Sequence, residues 1–288
     1  MPFTGRTTVG DTPVGVASDG ADIWVANFGG GTVSQVQASS GKLIGTWTGA
    51  VGADQLVIAR GRVFVTGRLA PQGRLYVIDP QQAPGVVATL TNTLPAGSSG
   101  ITFDGYYIWV ASQGGTISRV DPNSGAHGFF AGFSNASGII FDGTYLWVTE
   151  FAAPEISKVD LNGNVLLSLP TGLGPSRPVY DGVNIWVPNF NSSTVTVIRV
   201  TDSQGNPLAS PFVLATLANN GLDRPGAMAF DGQRILATNQ IGNSVSLWRA
   251  TDLSPLGTFS GAPATMGACS DGINFWITLS TDDTVVRF

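Results

Sequence analysis

The sequence predicts an all-β fold: one seven-bladed β-propeller of four-stranded blades, with residues 1–288 as a single domain. Three observations predict it: a motif present seven times, a repeat length suited to four short strands, and chain ends that complete one another. The motif is Asp-Gly, two variable residues, an aliphatic residue, Trp and Val. It reads Asp19-Gly20 with Ile23-Trp24-Val25, Asp104-Gly105 with Ile108-Trp109-Val110, Asp142-Gly143 with Leu146-Trp147-Val148, and Asp181-Gly182 with Ile185-Trp186-Val187. Diverged copies are Arg60-Gly61 with Val63-Phe64-Val65, Asp231-Gly232 with Ile235-Leu236-Ala237, and Asp271-Gly272 with Phe275-Trp276-Ile277. Successive copies stand 38 to 50 residues apart with a mean of 42, the length of one blade.

Within a repeat, a small apolar run such as Gly138-Ile139-Ile140-Phe141 precedes the Asp-Gly and is read as the innermost strand. Gly and Ala suit it because seven such strands crowd one axis. Asp-Gly is turn chemistry, since glycine accepts positive φ and aspartate bonds its own turn backbone. The second strand carries the Trp, expected between neighbouring blades with a partner for its N–H. An alternating third strand follows, as in Ile156-Ser157-Lys158-Val159, then a turn such as Asn162-Gly163-Asn164 and an outer strand such as Val165-Leu166-Leu167-Ser168-Leu169. The fifth repeat is about ten residues longer, with Thr201–Pro207 as a lengthened outer hairpin.

After Trp276 the chain has one more strand, Thr284-Val285-Val286-Arg287-Phe288, and no outer one. The opening segment, Phe3 to Val9, resembles the outer strands elsewhere and is expected to supply the missing strand of blade 7, removing the open seam.

Composition bounds the function. The chain has 14 Lys and Arg against 19 Asp and Glu, a net charge of -5, with 11% charged and 43% hydrophobic residues. Only Lys42 and Lys158 are lysines and the arginines are scattered, so no basic stripe exists for nucleic acid. No apolar run is long enough for membrane insertion by a helix. A lone Cys269, expected as inert core, permits no internal disulfide. Met1-Pro2-Phe3-Thr4 opens into globular-looking sequence, so no signal peptide is expected within this stretch. Low charge, few lysines and abundant Ser, Thr, Asn and Gly point to a secreted or extracytoplasmic bacterial protein. A monomer is expected.

Leu146-Trp147-Val148-Thr149-Glu150-Phe151, followed by Ile156-Ser157-Lys158-Val159-Asp160-Leu161-Asn162-Gly163-Asn164, resembles the bacterial propellers of YVTN-type and NHL-type repeats. Within them the resemblance is to the virginiamycin B lyase (streptogramin lyase) group. It covers all seven repeats and implies the propeller fold. It also implies a lyase mechanism using histidines and glutamates around a magnesium ion on one face. This chain has a single histidine, His127, expected towards a blade edge, and only Glu150 and Glu155 as glutamates. The catalytic histidines therefore have no counterpart. A lone quinoprotein-like fragment, Ser40-Gly41-Lys42 with Trp47, reads as a turn plus an outer-strand aromatic.

Ligands of propellers usually sit over the channel mouth, among the loops between second and third strands and the blade-to-blade connections. Residues after each Trp strand form an expected ring of Asn27, Gly67, Ser112, Glu150, Asn189, Asn239 and Leu279. Beside them stand Phe28, Arg68, Gln113, Phe151, Phe190, Gln240 and Ser280, and the connections add Gln55, Arg177, Asp223 and Arg224. The ligand-binding set drawn from these is Asn27, Phe28, Arg68, Gln113, Glu150, Phe151, Arg177, Asn189, Phe190, Arg224 and Asn239. Amide and guanidinium donors flanked by rings suit a small molecule, a glycan or a peptide. The competing reading gives the asparagines loop-satisfying roles and the phenylalanines packing roles. Glu150 breaks the Asn pattern and is the one weak catalytic candidate. Asp282-Asp283 reads as a solvated loop rather than a calcium cage.

The function read from the sequence is a non-catalytic ligand- or protein-binding scaffold using the loop-rich face. The alternative is a lyase- or hydrolase-like enzyme resting on Glu150 with metal or arginine partners. No cofactor is predicted, with a divalent metal left open by the resemblance.

Overall fold

The repeated aspartate organises each blade. In the computed structural model, which describes residues 3–288, Asp142 Oδ1 accepts the backbone N–H groups of Thr144 and Tyr145 at 2.8 and 2.7 Å. Its Oδ2 accepts Trp147 Nε1 at 2.7 Å. The same indole–carboxylate bond joins Trp24 to Asp19, Trp109 to Asp104, Trp186 to Asp181 and Trp276 to Asp271 at 2.7–2.8 Å. A buried indole needs an acceptor, and the turn five residues upstream supplies it. Where Leu236 replaces Trp, Arg234 Nε takes the place of the indole on Asp231 at 2.7 Å. In the copy carrying Phe64, which has no N–H, the aspartate is absent and Arg60 stands there. The glycines of the six Asp-Gly turns have φ between +89° and +98°, which side chains rarely tolerate.

Seven four-stranded antiparallel sheets result. Their first strands follow one another around a central axis: 13–18, 53–59, 98–103, 136–141, 179–180, 225–230 and 265–270. Seven hydrophobic clusters hold the blades together, one per interface. Trp147 of blade 4 packs on Ile185 and Val187 of blade 5, and Trp276 of blade 7 on Val16, Ile23 and Val25 of blade 1. The five tryptophans of the second strands are all fully buried, which by area is worth roughly 4 kcal/mol each as an upper estimate. Trp47 lies in the outer strand of blade 1 and packs on Trp24 at 5.1 Å, as the turn-plus-aromatic reading expects.

The innermost strands are bulged near their starts in blades 1, 2, 3, 4, 6 and 7. Blade 5 keeps only Val179–Tyr180 of its inner strand, and Arg177 bridges instead to Ala227 of blade 6. A threonine one residue before the ring position exploits the bulge in four blades. Thr149 Oγ1 accepts Gly138 N–H within its blade at 2.9 Å and donates to Ser176 O of the next at 2.7 Å. Thr66, Thr238 and Thr278 make the equivalent stitches to Ser99, Met266 and Val14. Inner strands approach so closely that a Cβ on Gly15 would collide with Asp54 O.

The ring closes as expected. Thr4–Thr8 pairs antiparallel with Thr284–Arg287 and forms the outer strand of blade 7. Asp282 and Asp283 serve this clasp. Asp282 pairs with Arg6 at 2.7 Å, and Asp283 Oδ1 accepts Thr12 N–H at 2.9 Å. Blade 5 has the long outer hairpin, Thr194–Thr201 with Pro207–Leu217. Met1 and Pro2, read above as the globular start, lie outside the described residues. Among the described residues no helix is long and apolar enough to cross a membrane.

Candidate functional site

The ring residues after the Trp strands lie inside the blades. Asn27, Asn189 and Asn239 are fully buried. Each Nδ2 donates to hydroxyls five and seven residues on: Thr32 and Ser34, Thr194 and Thr196, Ser244 and Ser246, at 2.8–3.0 Å. Glu150 holds the same position with the opposite polarity. Its Oε1 accepts Ser157 Oγ, seven residues on, at 2.5 Å, and its Oε2 accepts Ser134 N–H at 2.7 Å. These four side chains tie second strands to third strands or loops. Glu150 makes no ion pair with Arg68 or Arg177.

A different subset converges at the mouth. Arg68, Gln113, Phe151, Arg177 and Phe190 line one cavity of about 270 Å³, joined by Asn135, Gln240 and Met266. They arrive from blades 2 to 7 because each follows a second strand or lies just before or at the start of a first strand. Phe151 and Phe190 stand with centroids 6.4 Å apart and planes at 45°. Phe28 and Arg224 flank the rim. The Arg68 guanidinium lies 4.9 Å from the Phe28 ring, and that of Arg224 lies 5.7 Å from Phe190.

Behind two of the lining arginines is a residue that sequence reasoning missed. Asp54 is fully buried and meets Arg177 Nη2 at 3.5 Å and Arg68 Nη1 at 3.7 Å. Arg177, with its side chain 18% exposed, also lines the axial channel, a cavity of about 160 Å³ walled by six first strands and, in blade 5, by Arg177 and Pro178 just before the strand. It therefore divides the mouth from the channel. Burial lowers the Arg177 pKa from its ordinary value; Asp54 opposes that shift and Arg68 adds to it. The signal for Asp54 was its neighbour. Gly15, Gln55, Gly100, Gly138, Arg177, Ala227 and Gly267 are equivalent positions, small except at Gln55 and Arg177. The two exceptions mark where the axis is filled.

Other chemistry-bearing groups lie elsewhere. His127 opens the outer strand of blade 3, where Nε2 lies 3.2 Å from Thr93 Oγ1. Cys269 is in the innermost strand of blade 7, packed near Trp276, and burial raises its thiol pKa. Among the described residues no three His, Cys, Asp or Glu side chains gather as a metal site. Asp54 faces two guanidiniums and Glu150 accepts two donors, so the residues present do not fit a magnesium ion here.

Seven four-stranded blades, an N-terminal closing strand and an arginine- and phenylalanine-lined mouth define a seven-bladed β-propeller with a polar top cavity. No protein-family model and no curated protein sequence matches the chain. Among solved structures, it is similar to virginiamycin B lyase from Staphylococcus aureus, with a TM-score of 0.80, 18% identity, and 99% of this chain and 98% of that one covered. A streptogramin B lyase structure matches with a TM-score of 0.76, 16% identity and coverage of 99% and 97%. The β-propeller domain of Myceliophteria thermophila Cps50 (Swd1) gives 0.78 at 10% identity, covering 98% and 99%. These likenesses establish a shared fold and leave activity to the site.

Proposed function

We propose that the chain is a binding propeller whose mouth cavity takes a small molecule, a glycan or a peptide end without transforming it. One observation carries the reading: five residues from separate blade loops, Arg68, Gln113, Phe151, Arg177 and Phe190, share one cavity over the axis. Their chemistry is that of recognition, with guanidinium and amide donors beside phenyl faces. The carboxylate nearest in sequence to the cavity, Glu150, is occupied by Ser134 and Ser157. An extracytoplasmic setting goes with this reading, supported by only two lysines and 11% charged residues.

A lyase-like enzyme is the second reading, favoured by the fold likeness to virginiamycin B lyase. A thermal-shift and calorimetric screen against glycans, peptides and divalent metals tests both. Saturable binding that weakens in Phe151→Ala or Arg68→Gln is expected. Binding indifferent to both variants would remove the mouth, and ligand turnover abolished by Glu150→Gln would favour the enzyme.

A further inference from the structure

Resting on the mouth-cavity reading, we propose that the ligand is a monocarboxylate with a flat apolar body. Its carboxylate sits on the edges of Arg68 and Arg177, and its body lies against Phe151 and Phe190. The first argument is the state of the guanidiniums. Each presents five N–H donors. Among the described residues, the Arg177 side chain makes one hydrogen bond, to Asp54 at 3.5 Å, and the Arg68 side chain makes none. Charge-assisted N–H···O contacts are about 2.7–2.9 Å when well made, so Asp54 leaves these donors largely unused. Asp54 Oδ2 is itself buried without a hydrogen bond.

The charge count comes next. Two guanidiniums face one carboxylate, so the cluster is one negative charge short, which a monoanion supplies and a dianion exceeds. The lowered Arg177 pKa, caused first by burial and reinforced by Arg68, agrees with a cation in need of a second anion. The neighbouring wall is apolar, formed by the two phenylalanines and Met266. Asn135 and Gln240 add amide groups to the lining. A C-terminal aromatic residue of a peptide has this chemistry, and so does a uronic acid presenting its C–H face.

Calorimetry on the full chain separates these sources with matched probes: N-acetylphenylalanine against N-acetylphenylalaninamide, and glucuronate against methyl glucoside. In at least one pair the carboxylate should bind about tenfold or more tighter than its neutral partner, and the advantage should shrink in Arg68→Gln and with added salt. Arg68→Gln is preferred to Arg177→Gln because Arg68 is more exposed, and its melting temperature checks that the fold persists. The pair showing the gap identifies the source. Neutral partners binding as tightly as the acids would overturn the carboxylate while leaving the mouth a binding site. Absence of saturable heat from all four probes also overturns the proposal, whereas the mouth reading would then fail only with the wider screen.

Discussion

Arg177 of blade 5 reaches Asp54 of blade 2, 123 residues away in the chain, with Nη2 3.5 Å from Oδ1. The two blades stand three places apart in a seven-membered ring, so this contact spans the axis. Propeller blades otherwise depend on their immediate neighbours. Asp54→Asn leaves two guanidiniums without their anion, one of them mostly buried. We expect a loss of about 2–4 kcal/mol, towards the low end because the pair is long. Urea unfolding measures it, and an unchanged midpoint would show that the pair contributes nothing to the fold.

The indole–aspartate bonds give a second expectation. Asp142→Ala removes the acceptor of Trp147 Nε1 and of two turn amides. Leaving the indole N–H unpaired between blades costs about 1–3 kcal/mol. Lower denaturant resistance and an altered tryptophan emission should appear together.

Thr149→Val tests the stitch between blades. The substitution keeps the shape but leaves Gly138 N–H without its acceptor and Ser176 O without its donor. About 1–3 kcal/mol is expected, with faster amide exchange at Gly138. Protection equal to wild type would mean that the bulged amide has another partner.

Removing residues 1–9 takes away the outer strand of blade 7 and the Arg6–Asp282 pair. The exposed edge of Thr284–Arg287 is then open to other chains. The melting temperature should fall by more than about 5 °C, with concentration-dependent association. Scanning calorimetry and light scattering read the two effects.

Acid sensitivity follows from the turn carboxylates. Side-chain and backbone donors of Ser254, then Arg249, depress Asp252 to about 2. Asp271 is also lowered: burial works against it, but the amides of Asn274 and Ile273 and the Trp276 indole outweigh that. Groups with depressed folded pKa stabilise the fold fully above the unfolded value, ordinarily 3.8, and lose that contribution as pH falls through the folded value. Asp22, raised by burial, acts in the opposite sense. Melting temperatures should be level from neutral pH to about 5 and drop below about 4. A stability maximum below pH 4 would contradict the assignment.

Much of the architecture is legible from residue order. Asp142 and Trp147 are five residues apart, and a hairpin brings them together in any blade, so the repeat could be read directly. The clasp was readable because an outer strand was missing at one end and present at the other. The mouth was only partly legible. Counting from each second strand names Arg68, Gln113, Phe151 and Phe190, the blade-to-blade connections add Arg177, and one cavity is lined by all five. The same counting named Asn27, Glu150, Asn189 and Asn239, which the strand twist turns into the blades towards hydroxyls seven residues on. One residue of register separates Phe151 and Phe190 from Glu150 and Asn189, because neighbouring side chains face opposite ways.

By itself the sequence determined the number of blades, the four-strand unit and the manner of closure, since each depends on short-range hairpins and a regular count. Tertiary structure alone decided that Asp54 and Arg177 meet. Their contact depends on the ring's radius, on where the blade 2 bulge aims Asp54 and on how the segment before the short inner strand of blade 5 aims Arg177, and no local pattern encodes these quantities.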